Sequence, residues 1–585
     1  MSKQLERSLC GSVLALAAIS WLLMGSPARA QGPGTIAERL SPATAFYVQW
    51  RGMPYLSSTE KTNHVLQLMS DPSMAPVWAS LAADFQQNAQ KQGKQKPPVT
   101  LTDLISLLDN PGVFGIAAKA NASPSASRAA SSAATVNERY GTFLVYDDTG
   151  KTALIEKLRA AETGASDQKP AITHYDFGGT TIEQRANGKD TSYAAQAGHY
   201  FVESNQKEIV EELITRFRTG SSPVSCITRL AEYGEIRKYI GADAAVELFA
   251  RVPDVHSWAA SDSKNQAPAK FLSDIHLDKL RVAGVGLAFE GQATRFRGAI
   301  LGDTSAGGPF DVIGASSSHF ETQPILGDGP TFSVWRMNVP AIYQLVRNAI
   351  VTNAPPQQAA GLLMIESMSA RFLGMPLQSA LELFRGEFAS VNSYSEDGER
   401  QQLMAIAIQR PDDVLRVLRA AASSVIISED SSGDATYLDL AYPYKDPKTG
   451  TQRRKFYYLA VTQEMILGAP RKAMLRQAAQ QVRAETDGSQ AKGIFGDPGY
   501  VQMRSHLPEK LSSLSTSDIA AVPWDKVIAN LQEQENEAAQ QSKSAPLPDL
   551  SQWKAAAPAI SRHLRMAVSG SWKDANGVYF DSYVQ

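Results

Sequence analysis

The feature that most constrains this chain is that its pattern is written twice. Residues 143–217 predict a strand, a helix, two strand hairpins and a second helix, and residues 404–482 predict the same order. Phe143-Leu-Val-Tyr146 runs into an amphipathic stretch at 153–161, and Ala405-Ile-Ala-Ile408 runs into its counterpart at 413–421. Later, His199-Tyr-Phe-Val-Glu-Ser-Asn205 enters a helix over 206–217, and Glu464-Met-Ile-Leu-Gly-Ala-Pro470 enters one over 471–482. A pattern repeated over spans this long implies one hydrophobic core per copy. Functional residues need not recur, because copies are free to diverge.

The first copy opens on Leu40-Ser-Pro-Ala-Thr-Ala-Phe-Tyr-Val-Gln-Trp50, a strand after a Pro-containing turn, and the second on Gly329-Pro-Thr-Phe-Ser-Val-Trp335. Helices are expected next, over 59–70 and 339–351. Short amphipathic helices at 101–108 and 377–384 then lead into strands at 112–117 and 387–392. Each copy closes on a long hairpin, 280–289 with 293–301 and 564–572 with 578–584. Their turns, Glu290-Gly291 and Asn576-Gly577, suit the positive φ that tight hairpins require. Gly178-Gly179 and Asp397-Gly398 are further turn signals. Sheets built from hairpins are antiparallel and usually bury one face, here against helices. The expected class is α+β, two tandem copies of a unit with antiparallel hairpin-built sheets packed by helices. Copy one spans 31–305, a Gly/Ser-rich linker 306–320, and copy two 321–585. Stretches 86–98, 120–134 and 532–548 hold too few apolar residues to offset ordering entropy, and are read as mobile insertions.

Residues 1–30 read as a signal peptide. Lys3 and Arg7 precede an apolar run at 11–25, and Ala28-Arg-Ala30 supplies a small-x-small cleavage pattern. Cys10 precedes the apolar run in a context unlike a lipobox. Cleavage after Ala30 would leave about 555 residues and one thiol, Cys226, so cores held by packing without an intrachain disulfide. The first thirty residues hold Lys3, Arg7, Arg29 and Glu6; without them, 57 basic and 59 acidic residues become 54 and 58. That balance argues against nucleic acid as a partner. No later segment is long and apolar enough to span a bilayer. The expected location is the periplasm or the medium.

Several short motifs carry chemical meaning. Gly150-Lys-Thr152 follows a strand and opens a helix, as a phosphate-binding loop does. The full pattern requires Gly where Val145 stands, and Asp147 and Asp148 would repel phosphate, so a capped turn is expected. Ser58-x-x-Lys61, Ser390-x-Asn392 and Lys448-Thr-Gly450 occur in the order of the three motifs of penicillin-recognising serine enzymes. In that pattern Ser58 is the acyl nucleophile, Lys61 helps remove its proton, and Lys448 stands beside the site. Against it, Ser57-x-x-Glu60 is an ordinary capping box, and the first two motifs fall in different copies. The eight histidines show no ligand spacing, so no metal site and no cofactor is expected. Asp147/Asp148 and Asp412/Asp413 recur at strand-to-helix turns, where capping explains them. Tyr193 and Tyr200, or Tyr457 and Tyr458, lie in strands and could form an aromatic platform for sugar or peptide.

The opening at 40–50 resembles the start of a group of exported bacterial proteins of unknown function. Those begin with a Pro-Ala-Asp-Thr-like turn into an apolar strand and carry repeated strand–helix units. Thr44 stands in register, and the Asp is absent here. The resemblance implies a bacterial envelope location and supplies no catalytic residues. The leading expectation is a non-enzymatic envelope protein that binds a protein or glycan partner. The alternatives are a serine-dependent acyl hydrolase using Ser58 and Lys61, and a lipid-handling envelope assembly factor.

Overall fold

The computed structural model describes residues 35–52, 62–91, 100–119, 139–163, 171–187, 190–218, 225–260, 276–305, 308–327, 329–433, 435–445, 451–486, 494–541 and 550–585. The signal-peptide stretch, the insertion at 120–134, and Ser58, Lys61 and Lys448 lie outside them. The chain divides into two compact units. Unit 1 comprises residues 1–270 and 280–302, and unit 2 comprises 271–279 and 303–585.

The strands of unit 1 are β1 (Thr44–Trp50), β2 (Gly112–Ala118), β3 (Tyr140–Asp147), β4 (Ala171–Phe177), β5 (Thr180–Asn187), β6 (Asp190–Ala197), β7 (Tyr200–Ser204), β8 (Val246–Arg251), β9 (Leu280–Glu290) and β10 (Ala293–Gly302). They hydrogen-bond in the order β4-β5-β6-β7-β3-β2-β1-β8-β9-β10, every pair antiparallel. Its helices are α1 (His64–Ser70), α2 (Ala75–Lys91), α3 (Leu101–Ser106), α4 (Thr152–Thr163), α5 (Lys207–Arg218), α6 (Ala231–Ile240) and α7 (Val252–Ala260). α1 is capped by Asn63, whose Oδ1 accepts from the Leu66 amide. Thr100 and Asp103 form a reciprocal capping box on α3. α2 continues to Lys91, so the Gln/Lys run expected to be loose begins inside a helix.

The strands of unit 2 are β11 (Thr331–Arg336), β12 (Phe384–Tyr394), β13 (Arg400–Ile408), β14 (Ile426–Ser432), β15 (Ala435–Lys445), β16 (Gln452–Val461), β17 (Met465–Ala469), β18 (Ser513–Asp518), β19 (Met566–Lys573) and β20 (Gly577–Val584). Their order is β14-β15-β16-β17-β13-β12-β11-β18-β19-β20, again antiparallel throughout. Shifting each strand number of unit 1 by ten reproduces this order. The helices are α8 (Gln323–Leu326), α9 (Val339–Asn353), α10 (Pro356–Leu373), α11 (Leu377–Leu381), α12 (Pro411–Ala422), α13 (Lys472–Thr486), α14 (Pro498–Arg504), α15 (Trp524–Gln541) and α16 (Ser551–His563). α15 takes up the first ten residues of the stretch 532–548, which was read as loose.

The antiparallel sheets and flanking helices make the class α+β. In unit 2 the sheet is buried on both faces near β17, beyond the one covered face that hairpin sheets suggest. All five residues of β17 are buried. Met465, Leu467 and Ala469 join one core cluster with Leu475 and Ala478 of α13. Ile466 points the opposite way, into a second cluster with Val414 and Leu415 of α12. Strand side chains alternate, so two covered faces require this unbroken apolar run. Residues 308–320, expected to be a linker, are part of unit 2. Ile313 bridges to Met337, Ser317 bridges to Leu511, and Phe310 and Phe320 are buried.

The two Trp residues seen at the copy openings occupy matching ladder positions and are packed differently. Trp50 pairs with Gly112, where any Cβ would meet the indole ring. Its Nε1 donates to the Asn110 carbonyl at 2.9 Å. Trp335 pairs instead with Phe388, and the two rings stack at 6.3 Å.

Candidate functional site

The most elaborate buried polar group in unit 1 is Glu247 on β8, which is fully buried. Oε1 accepts from the Tyr47 hydroxyl at 2.5 Å and the Tyr233 hydroxyl at 3.0 Å. Oε2 accepts from Gln49 Nε2 at 3.0 Å and is paired with Arg237. Burial pushes the Tyr47 hydroxyl well above its ordinary value, and the neighbouring Tyr233 adds to the effect, so it stays a donor. Every oxygen of this carboxylate is occupied. The network ties β1, β8 and α6 together and leaves no lone pair for a substrate.

The Gly150 loop is likewise committed. Lys151, the residue a phosphate loop would offer to its ligand, is paired with the buried carboxylate of Asp109. Asp147 Oδ1 accepts from the Thr149 amide at 3.1 Å and its hydroxyl at 2.6 Å. Asn110 Nδ2 donates to the carbonyls of Asp147 and Thr149. The loop is a closed turn. In the second copy Asp413 pairs with Arg416 at 2.7 Å.

Ser390 and Asn392, of the serine-enzyme pattern, are buried on β12. Ser390 Oγ accepts from Gln402 Nε2 at 2.7 Å, and Asn392 Oδ1 accepts from Arg400 Nε at 2.8 Å. These bonds join β12 to β13. Ser316, within residues 314–319, is likewise tied to a neighbouring strand. Ser316 Oγ contacts Ser512 Oγ at 3.0 Å and accepts from the Lys573 amide.

The four tyrosines do not make open platforms. Tyr193 and Tyr200 share one face of the β6–β7 pair, the face α5 covers, and Tyr200 packs edge-on against Phe217 of α5 at 4.9 Å. Arg39 lies 5.7 Å from the Tyr200 ring. Tyr457 and Tyr458 point to opposite faces of β16. Tyr457 packs on the α12-side core, and Tyr458 packs on the α13-side core with Lys472 over its ring at 5.3 Å.

Unit 2 also has an open cleft of about 1030 Å³ at the ends of β11 and β12. Gly386 shapes it. Its φ is +80° within the bulge that interrupts the β12–β13 ladder, and a Cβ there would collide with the Met337 carbonyl. Three charged residues of its rim are engaged within the protein. Lys573 Nζ donates to the Phe310 carbonyl at 2.8 Å, Arg385 pairs with Glu321 at 3.0 Å, and Asp574 accepts from the Tyr579 hydroxyl at 3.0 Å.

Two surfaces of unit 2 are not explained by internal packing. The first is α10. None of its residues is buried, and Leu363, Met364, Ile365, Met368 and Phe372 are 49% to 64% exposed. Met364, Met368 and Phe372 are spaced by four and form a stripe. Val346 and Val351 of α9 are also exposed. α10 is held from below: Glu366 accepts from Arg347 Nε of α9 at 2.6 Å and from the Tyr343 hydroxyl. The second surface is the far part of the β15–β16 ribbon. β14 leaves β15 at the Ile426–Leu440 pair, and β17 meets β16 only from Tyr458 onward. Beyond those points the ribbon has no third strand among the described residues. It carries Tyr442, Tyr444 and Phe456, each at least 40% exposed, with Arg453, Arg454 and Lys455. Arg454 and Lys455 are exposed and form no ion pair among the described residues.

Sequence reading passed over both surfaces. The spacing of 364, 368 and 372 was a usable helical signal, and 453–455 was a usable charge run beside aromatics. Among the described residues no group of three or more His, Cys, Asp or Glu side chains could hold a metal ion, and no helix is long and apolar enough to cross a membrane. No protein-family model, curated protein or solved structure matches the chain.

Proposed function

We propose that this chain is an exported, non-enzymatic binding protein of the cell envelope, built from two copies of one α+β unit. The observation that carries the binding reading is α10. An eighteen-residue helix with no buried residue and a stripe of large apolar side chains costs solubility unless something covers it. The shared strand order supports two copies of one unit. The basic start, apolar run and Ala28-Arg-Ala30 pattern support export. The polar constellations of both units serve as internal ties, which supports a scaffold over a catalyst.

The rival reading, acyl transfer from Ser58 with Lys61 and Lys448, has a direct test. The purified chain and its Ser58→Ala variant are incubated with a fluorophosphonate and with a fluorescent penicillin. The expected outcome is no covalent label on either protein. Label on the wild type that disappears in Ser58→Ala overturns the binding reading and makes the chain a serine enzyme.

A further inference from the structure

We propose that the exposed β15–β16 ribbon, together with the α10 face, docks unit 2 on an anionic lipid bilayer. The inference rests on the binding-protein reading and names its partner.

The ribbon is an addition to one copy. β15 and β16 make ten cross-strand pairs, and their counterparts β5 and β6 make six. The additional length holds Tyr442, Tyr444, Arg453, Arg454 and Lys455. Cross-strand register places Tyr442 opposite Lys455 and Tyr444 opposite Arg453 on one face, with Phe456 and Arg454 on the other. Both faces of the ribbon therefore present cations beside aromatic rings. Two of the acids at its base are neutralised: Asp439 pairs with Lys472, and Glu429 with Arg419.

Charge complementarity selects an anionic partner, and the aromatics select one with an apolar boundary. Tyrosine and phenylalanine lodge at the headgroup level of a bilayer, and neighbouring lysines and arginines gain from its surface potential. The helical surface completes the argument. Tyr442 and Tyr444 share strand parity with Leu438 and Leu440, which belong to the core under α12. α10 packs against α12, so the Met364–Met368–Phe372 stripe and the Tyr442/Lys455 face belong to one side of the unit 2 sheet. A nucleic acid or an acidic peptide would use the cations and leave a Met/Ile/Phe helix face uncovered. A bilayer uses both, as amphipathic surface helices do.

The test is vesicle flotation of the full-length chain with phosphatidylcholine vesicles and with phosphatidylcholine containing about one-quarter phosphatidylglycerol. Hydrogen exchange is read locally over residues 441–457 and 363–373. Any contribution from the apolar run at 11–25 is common to all variants, and the exchange readout is separate from it. The expected result is binding that requires the anionic lipid, fades as salt approaches about 1 M, and protects both segments. Arg453→Glu/Arg454→Glu/Lys455→Glu lowers the anionic-vesicle affinity by about 100-fold or more. Met368→Ser/Phe372→Ser weakens binding and leaves its salt dependence unchanged. Equal binding to neutral vesicles, unchanged binding of the charge-reversed variant, or no protection of either segment overturns the inference. So does preferential binding of single-stranded DNA or a poly-glutamate peptide with 363–373 unprotected. These failures leave the non-enzymatic reading standing, because only covalent labelling at Ser58 ends that reading.

Discussion

Replacing Glu247 by Ala would strand four donors at once: the hydroxyls of Tyr47 and Tyr233, the Gln49 amide and the Arg237 guanidinium. A buried charge left without its partner costs about 3–5 kcal/mol. Glu247→Ala is therefore expected to lower the unfolding free energy from urea titration by that amount and to raise hydrogen exchange first in β1, β8 and α6. Glu247→Gln keeps one acceptor and should lose less. A loss below about 1 kcal/mol would mean that water replaces the carboxylate. Little of this was visible in sequence. Tyr47, Gln49, Tyr233, Arg237 and Glu247 come from three separated segments, and only their pairing in space gives them a common role.

Glu366 is the tie between α9 and α10. Hydrogen bonds from Arg347 first, and from Tyr343 second, hold its carboxyl below the ordinary value of 4.5. A carboxyl depressed in the folded state contributes stability above its unfolded value and loses it as pH falls through the folded value. The window is therefore below pH 4.5. Amide exchange in α10, corrected for intrinsic rate, should rise as pH falls through this window and should do so less in Glu366→Gln. Equal pH responses in the two proteins would assign the attachment of α10 to other contacts. At this scale the sequence was partly legible. Helices at 153–161, 206–217 and 413–421 and the closing hairpins follow from periodicity and Gly-containing turns, which are local signals. β8 and β18 were missed. Each is a six-residue strand wedged beside the central strand of its unit, and neither has a hairpin turn next to it to announce it. The stripe of α10 drew no reading, because helical spacing of apolar residues does not by itself say whether they face a core or solvent. Tyr193, Tyr200, Tyr457 and Tyr458 were read as a platform from strand alternation, which says that neighbours take opposite faces and not which face a helix covers.

At the scale of the whole chain, the α+β class and its antiparallel hairpins were legible because they depend on local order alone. What the sequence could not supply was which side chains diverged into a surface. Trp50 pairs with Gly112 in unit 1, whereas Trp335 pairs with Phe388 in unit 2, a difference in the packing of the two sheets. The β5–β6 pair and the longer β15–β16 ribbon differ at the surface instead, and composition cannot tell these outcomes apart. The strand β14 carries a consequence of another kind. Among the described residues it pairs with β15 alone, and six of its seven residues are exposed. A sheet that stops at such a strand is an unfinished lattice, and its open row of amides and carbonyls would accept a second molecule as readily as another strand. Asp430, exposed and without an ion pair among the described residues, would face its own counterpart on an approaching copy and oppose that growth. Asp430→Val should leave the monomer folded and turn it into a species whose sedimentation rises with concentration. If the variant stays monodisperse, something other than charge is terminating the sheet. On this account a single carboxylate sets the boundary between a protein and a fibre.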